Sequence, residues 1–108
     1  MLDMSKVKEL IEKHPHEIHK LQDVAEKLDC SCETLRKEFL RKEGVHFSEY
    51  LISVRVSKMK ELLSLTNKLC FEICFEAGFM REDSAARIFK RVVGLTMVEY
   101  RKQQKQMS

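Results

Sequence analysis

The feature that most constrains this chain is an internal repeat: one pattern is stated twice, about fifty residues apart. Leu21, Val24, Ala25, Leu28, Leu35, Phe39, Gly44, Glu49 and Tyr50 return as Cys70, Ile73, Cys74, Ala77, Ala85, Phe89, Gly94, Glu99 and Tyr100. The offset is 49 up to the turn and 50 after it, so the second copy carries one extra residue there. Stacked arrays of such repeats need about three or more units to be stable. Two copies with a long segment between them point instead to a paired module, and 108 residues leave each copy only a modest core.

Each copy reads as helix. With 3 Gly, 1 Pro and 7% aromatic residues, the chain offers few turn signals for strands, so the expected class is all-α. Residues 4–13 place Val7, Leu10 and Ile11 on one face, and His14-Pro15 stops that helix because proline lacks an amide donor and restricts the residue before it. Leu21, Val24, Ala25 and Leu28 then recur at i, i+3, i+4 and i+7. Beyond a tight Asp29-Cys30 connection, Ser31 suits an N-cap, and Leu35 and Phe39 lie one turn apart on the next helix. This is a helix-turn-helix pattern, closed by Gly44.

Residues 47–65 carry Tyr50, Leu51, Val54, Met59, Leu62 and Leu63 at helical spacing, a rod roughly 28 Å long at 1.5 Å per residue. The second copy follows: a helix from Cys70 to Ala77, a Gly78-Phe79 turn, a helix near 82–91, Gly94, and a last short helix near 97–104. The expected organisation is a first helix-turn-helix subdomain over 1–46, a linker helix over 47–66 and a second subdomain over 67–108.

The net charge of +3 conceals a pattern. Residues 1–34 hold 5 basic and 8 acidic side chains, residues 35–68 hold 8 and 4, residues 69–80 hold none and 2, and residues 81–108 hold 7 and 3. Each copy is thus acidic before its turn and basic after it, which suits a polyanion such as nucleic acid. If Leu35 and Phe39 face the core, Glu33, Arg36 and Lys37 turn away from it, with Arg41 beside them; in the second copy the same face carries Asp83 and Arg87, with Lys90 and Arg91 beyond. In a helix-turn-helix the second helix enters the major groove, where Arg and Lys read guanine and an acid can accept from cytosine.

No apolar run approaches the roughly 18 residues that span a bilayer, and no charged-then-apolar leader opens the chain, so a soluble cytoplasmic protein without a membrane partner is expected. Cys70 and Cys74 occupy positions that the first copy fills with Leu21 and Ala25, and read as core residues. Cys30-x-Cys32 is not a usual zinc spacing, so a metal or thiol sensor built on the four cysteines with His14, His16 or His19 is disfavoured. No Ser/His/Asp or Cys/His set sits in a catalytic context; neither an enzyme, a metal site nor a cofactor is expected. A helical protein-interaction module that kept the fold and lost DNA binding remains the alternative.

Three stretches carry a family resemblance: LQDVAEKLDCSCETLRKEFLRKEGVHFSEYL, RVSKMKELL and CFEICFEAGFMREDSAARIFKRVVGLTMVEYR. Over about Leu21 to Arg101 the sequence resembles the DNA-binding domain of AraC/XylS-type bacterial transcription regulators. The most specific part is the last: an apolar-plus-small pair, Gly-Phe, a helix ending in Phe-Lys-Arg, Gly-hydrophobic-Thr and finally Tyr-Arg. The resemblance implies seven helices in two helix-turn-helix subdomains joined by the long helix, bound to consecutive major grooves of double-stranded DNA, which lie roughly 34 Å apart. By position it implies base reading at Glu33, Arg36 and Lys37 and at Glu82, Asp83 and Arg87, and a structural role for Arg55. Lys42, Lys90 and Arg91 are the expected phosphate contacts. RNA polymerase is left open as a further partner, and the effector or dimerisation domain of the family's larger members is read as absent from this chain.

Three positions depart from the family pattern. Arg81 stands where Asp or Ser usually caps, Ala85 where an aromatic or Leu is usual, and Met97 where Pro normally follows Thr96. With Glu82 and Asp83 expected to face phosphate, these changes predict that the first unit dominates binding.

Overall fold

The computed structural model describes residues 3–107. Among the described residues there are seven helices and no strand: α1 (Met4–Lys13), α2 (Leu21–Lys27), α3 (Cys32–Glu43), α4 (Phe47–Leu65), α5 (Cys70–Glu76), α6 (Glu82–Val93) and α7 (Met97–Met107). The all-α expectation holds. Helices α6 and α7 run two or three residues past their expected ends, because neither RVV nor QKQM contains a residue that breaks a helix.

The chain divides into two compact units between Val54 and Arg55, inside α4, so the linker read as 47–66 is a helix whose two ends serve different cores. In the first unit Val7, Ile11, Ile18, Val24, Ala25, Leu35, Phe39, Phe47 and Leu51 form one buried cluster. Phe39 is its centre: its ring meets the edges of Phe47 and Tyr50 with centroids 5.7 and 5.3 Å away. Edge-to-face pairs of this kind add about 0.5–1.5 kcal/mol beyond the area they bury. Lys8 on α1 reaches Glu43 on α3 at 2.7 Å, fastening the far end of that helix.

In the second unit Val56, Met59, Leu62, Leu63, Ile73, Cys74, Ala77, Phe79, Ala85, Phe89 and Met97 are buried. Phe89 repeats the role of Phe39, its ring 5.7 Å from Tyr100. The Arg101 guanidinium donates to the carbonyls of Leu63 and Thr66, both at 3.2 Å, and so satisfies acceptors that the end of α4 leaves open. Arg55 lies over the Phe79 ring with its guanidinium carbon 5.3 Å from the centroid, the structural part expected of it. Burial pushes its pKa down.

Cys74 is a core residue as expected, but Cys70 is only partly buried. It is the first residue of α5, where the helix has not yet turned its side chain fully onto the core. All four cysteines are free thiols, and among the described residues no three His, Cys, Asp or Glu side chains gather as a metal site. No helix among the described residues is long and apolar enough to cross a membrane.

Candidate nucleic-acid interface

The site is built on the two turns. In the first, Asp29 adopts the left-handed conformation at φ 53°; its amide donates to the Glu26 carbonyl at 3.3 Å, and the Cys30 amide donates to Ala25 at 3.0 Å. In the second, Gly78 sits at φ 103°, its amide donates to Phe75 at 3.0 Å, and the Phe79 amide donates to Cys74 at 3.0 Å. Both are Schellman closures, with the same bonds 49 residues apart. Their starts match too. Asp23 accepts from the amides of His19 and Lys20, and Glu72 accepts from that of Leu69. Two acids at equivalent positions thus neutralise the positive end of each first helix.

The two turns lead into helices that are capped differently. Ser31 accepts from the Thr34 amide at 3.1 Å and starts α3 as expected. Arg81 has no acceptor to offer α6, and instead its guanidinium forks onto Asp83, with Nε and one terminal nitrogen each 3.1 Å from a carboxylate oxygen. Arg87 approaches the same carboxylate at 4.0 Å. The Arg81 fork, chiefly, holds the Asp83 carboxyl below the ordinary carboxylate range. Asp83 therefore enters the site already compensated by two cations, a feature that its placement in the sequence did not disclose.

On α3 the equivalent pair is Glu33 with Lys37 at 3.2 Å. Glu38 accepts from Arg41 at 2.9 Å and lies 3.9 Å from Lys42; the hydrogen bond from Arg41 is the main reason its carboxyl is held low. Arg36 is exposed and stands outside these ion pairs. All ten side chains anticipated from the sequence, Glu33, Arg36, Lys37, Arg41, Lys42, Glu82, Asp83, Arg87, Lys90 and Arg91, are exposed. Five lie on α3 and five on α6.

Beside α6 the second unit has a concavity of about 610 Å³. Cys70, Ala86, Met97 and Val98 supply apolar lining, and Glu82, Arg87, Lys90, Arg91 and Thr96 complete it. Ala86, Thr96 and Val98 were not among the anticipated residues. The repeat itself could have pointed to Ala86, which the offset of 50 aligns with Arg36. Thr96 and Glu99 also start α7 with a reciprocal capping box, the Thr96 amide donating to Glu99 at 2.9 Å and the Glu99 amide to the Thr96 hydroxyl at 3.1 Å. Under the concavity the Cys74 sulfur lies 3.9 Å from that of Met97, and burial, foremost, pushes its thiol up to about 11.

Comparison with known proteins agrees with this geometry. A family model described as a helix-turn-helix domain matches residues 24–103. The urease operon transcriptional activator of Escherichia coli is 33% identical over 97 residues, 90% of this chain and 32% of that protein. The chain spans about a third or less of the length of the curated relatives it matches. Among solved structures, the C-terminal domain of the two-component response regulator yesN from Fusobacterium nucleatum is similar with a TM-score of 0.85 and 29% identity, over 91% of this chain and 96% of that one. The DNA-binding domain of AdpA, solved with a target DNA, shares the fold with a TM-score of 0.88 at 22% identity, over 96% and 94% of the two chains. This chain therefore belongs to the helix-turn-helix family, as an AraC-type DNA-binding domain of the kind that transcription regulators carry.

Proposed function

We propose that the chain reads double-stranded DNA through α3 and α6, each placed in one of two successive major grooves, and that it does so in the cytoplasm as the DNA-binding part of a bacterial transcription regulator. The observation that carries this reading is the repeated surface. Twice, a Schellman turn launches a helix whose outward face bears an acid and a cation four residues apart, Glu33 with Lys37 and Asp83 with Arg87. Generic solvated helices have no reason to repeat that pair at a fixed offset.

Arg36, Lys37 and Arg87 are the proposed base readers, since guanidinium and ammonium donors match guanine O6 and N7. Glu33, Glu82 and Asp83 are the acids that tune them or accept from cytosine N4. Arg41, Lys42, Lys90 and Arg91 are the proposed phosphate contacts, which position the protein without reading sequence. The chain is proposed to have no enzyme activity, and RNA polymerase is the further partner that a transcription activator or repressor would engage.

A second reading, a protein-interaction module, has one observation in its favour. On α5 the aromatic rings of Phe71 and Phe75 are about half exposed, where α2 carries Gln22 hydrogen-bonded to Glu26. Selecting bound sites from a random duplex library, then titrating the selected and scrambled duplexes against salt, separates the two. A selected sequence and a log-linear loss of affinity with salt support DNA reading; no selection and a slope near zero favour the interaction module.

A further inference from the structure

The two reading helices correspond position by position: N-caps Ser31 and Arg81, pairs Glu33–Lys37 and Asp83–Arg87, core residues Leu35 and Ala85, Phe39 and Phe89, and C-caps Gly44 and Gly94. Two base-reading positions differ in kind: that of Glu82, where α3 has Cys32, and that of Arg36, where α6 has Ala86. At the second of these a long guanidinium is replaced by a methyl group. Around that methyl the surface is concave and mostly apolar, lined by Cys70, Met97 and Val98, and the cations Arg87, Lys90 and Arg91 lie on the same concavity, outnumbering the one acid there, Glu82.

We propose that Ala86 makes the second half-site a thymine-selecting one: the C5-methyl of a thymine seats against Ala86 and its apolar neighbours. This rests on the DNA-reading function proposed above. Thymine's methyl is the one apolar group that a base pair presents in the major groove, and small apolar side chains are its natural contacts. A guanine at that position would leave its O6 and N7 acceptors facing methyl and thioether groups, desolvated and unpaired. The cations beside the apolar lining match the polyanionic strand that brings the base there. The two units therefore read unlike half-sites, guanine at the position of Arg36 and thymine at that of Ala86.

The test uses duplexes selected by the 108-residue chain. Each thymine of the second half-site is replaced singly by deoxyuridine, which deletes the methyl and keeps the hydrogen-bonding edge and the charge. One replacement should weaken binding by about fourfold, the equivalent of ~0.8 kcal/mol for one buried methyl. Ala86→Ser and Ala86→Gly should discriminate thymine from uracil less than the unaltered chain does, and Ala86→Arg should shift selection at that position from thymine to guanine. Indifference to every uracil, or a uracil effect undiminished in the Ala86 variants, overturns the proposal while leaving DNA reading intact. Failure to select any sequence overturns the functional reading beneath it.

Discussion

Replacing Asp83 by Asn should increase the affinity of the chain for scrambled DNA and steepen its salt dependence. In the free protein that carboxylate receives both arms of the Arg81 fork at 3.1 Å and stands 4.0 Å from Arg87. Removing its charge releases two guanidiniums at the start of the reading helix. Each new phosphate contact adds about 0.9 to the slope of log affinity against log salt, so the variant should be steeper by about 0.9 if one guanidinium finds phosphate and about 1.8 if both do. Between 50 and 200 mM salt, about 0.6 log units, the variant's advantage should then shrink by about 3- to 12-fold. Fluorescence anisotropy of a labelled scrambled duplex across that range measures both quantities. Acidification does not imitate the substitution: a carboxyl whose folded pKa is depressed keeps its charge, and its contribution, until pH falls through that lowered value, below the ordinary 3.8. Affinity lower than wild type, at an unchanged slope, would refute the reasoning, because it would mean that Asp83 holds Arg81 and Arg87 in place for DNA rather than away from it. On the selected site the same variant should lose discrimination at one base pair if Asp83 accepts from cytosine.

Arg36→Ala should cost about 1–3 kcal/mol of specific binding and relax preference at one position, and Arg87→Ala should cost less because Asp83 already engages that guanidinium; competition titrations on the selected duplex rank them, and the opposite order would overturn the dominance of the first unit. Arg101→Ala should destabilise the second unit by about 1.5–3 kcal/mol in urea unfolding, since two carbonyls at the end of α4 lose a charged donor. Gly78→Ala should cost about 1–2 kcal/mol because an L side chain is strained at its left-handed φ, whereas Asp29→Gly should gain no more than about 1 kcal/mol, glycine's relief there being offset by unfolded-chain entropy.

The helices were legible because their punctuation is local. Pro15, Ser31, Gly44 and Gly94 act on the residues beside them, and the apolar spacing between them has a single period. The exposure of the reading faces came from the same period once Leu35 and Phe39 were placed inside. The electrostatics of α6 did not. A basic residue at the positive end of a helix reads as a defect, yet Arg81 reaches two residues ahead onto Asp83, a rotamer choice that no periodicity encodes. The lining beside α6 draws on α5, α6 and α7 at once, and Arg101 finds acceptors 35 and 38 residues earlier, so both needed the tertiary structure. The left-handed turn at Asp29 lay between these cases, since its alignment with Gly78 was the only trace of it in the sequence.

The buried sulfur of Cys74 makes the second unit its own timekeeper. Thiolates, not thiols, react with alkylating reagents, and a thiol pushed up to about 11 is ionised about once in ten thousand molecules at neutral pH. At 1% exposure beside Met97, Cys74 is also shielded from reagent, whereas Cys30, Cys32 and Cys70 are partly open to it. Mass spectrometry of a timed alkylation should therefore show three early additions and one late one, and the delay before the fourth reports how often α5 and α7 part. Any ligand that binds only the closed unit must lengthen that delay in inverse proportion to the fraction of chains it leaves unoccupied, so the chain's response to DNA can be timed without attaching a probe.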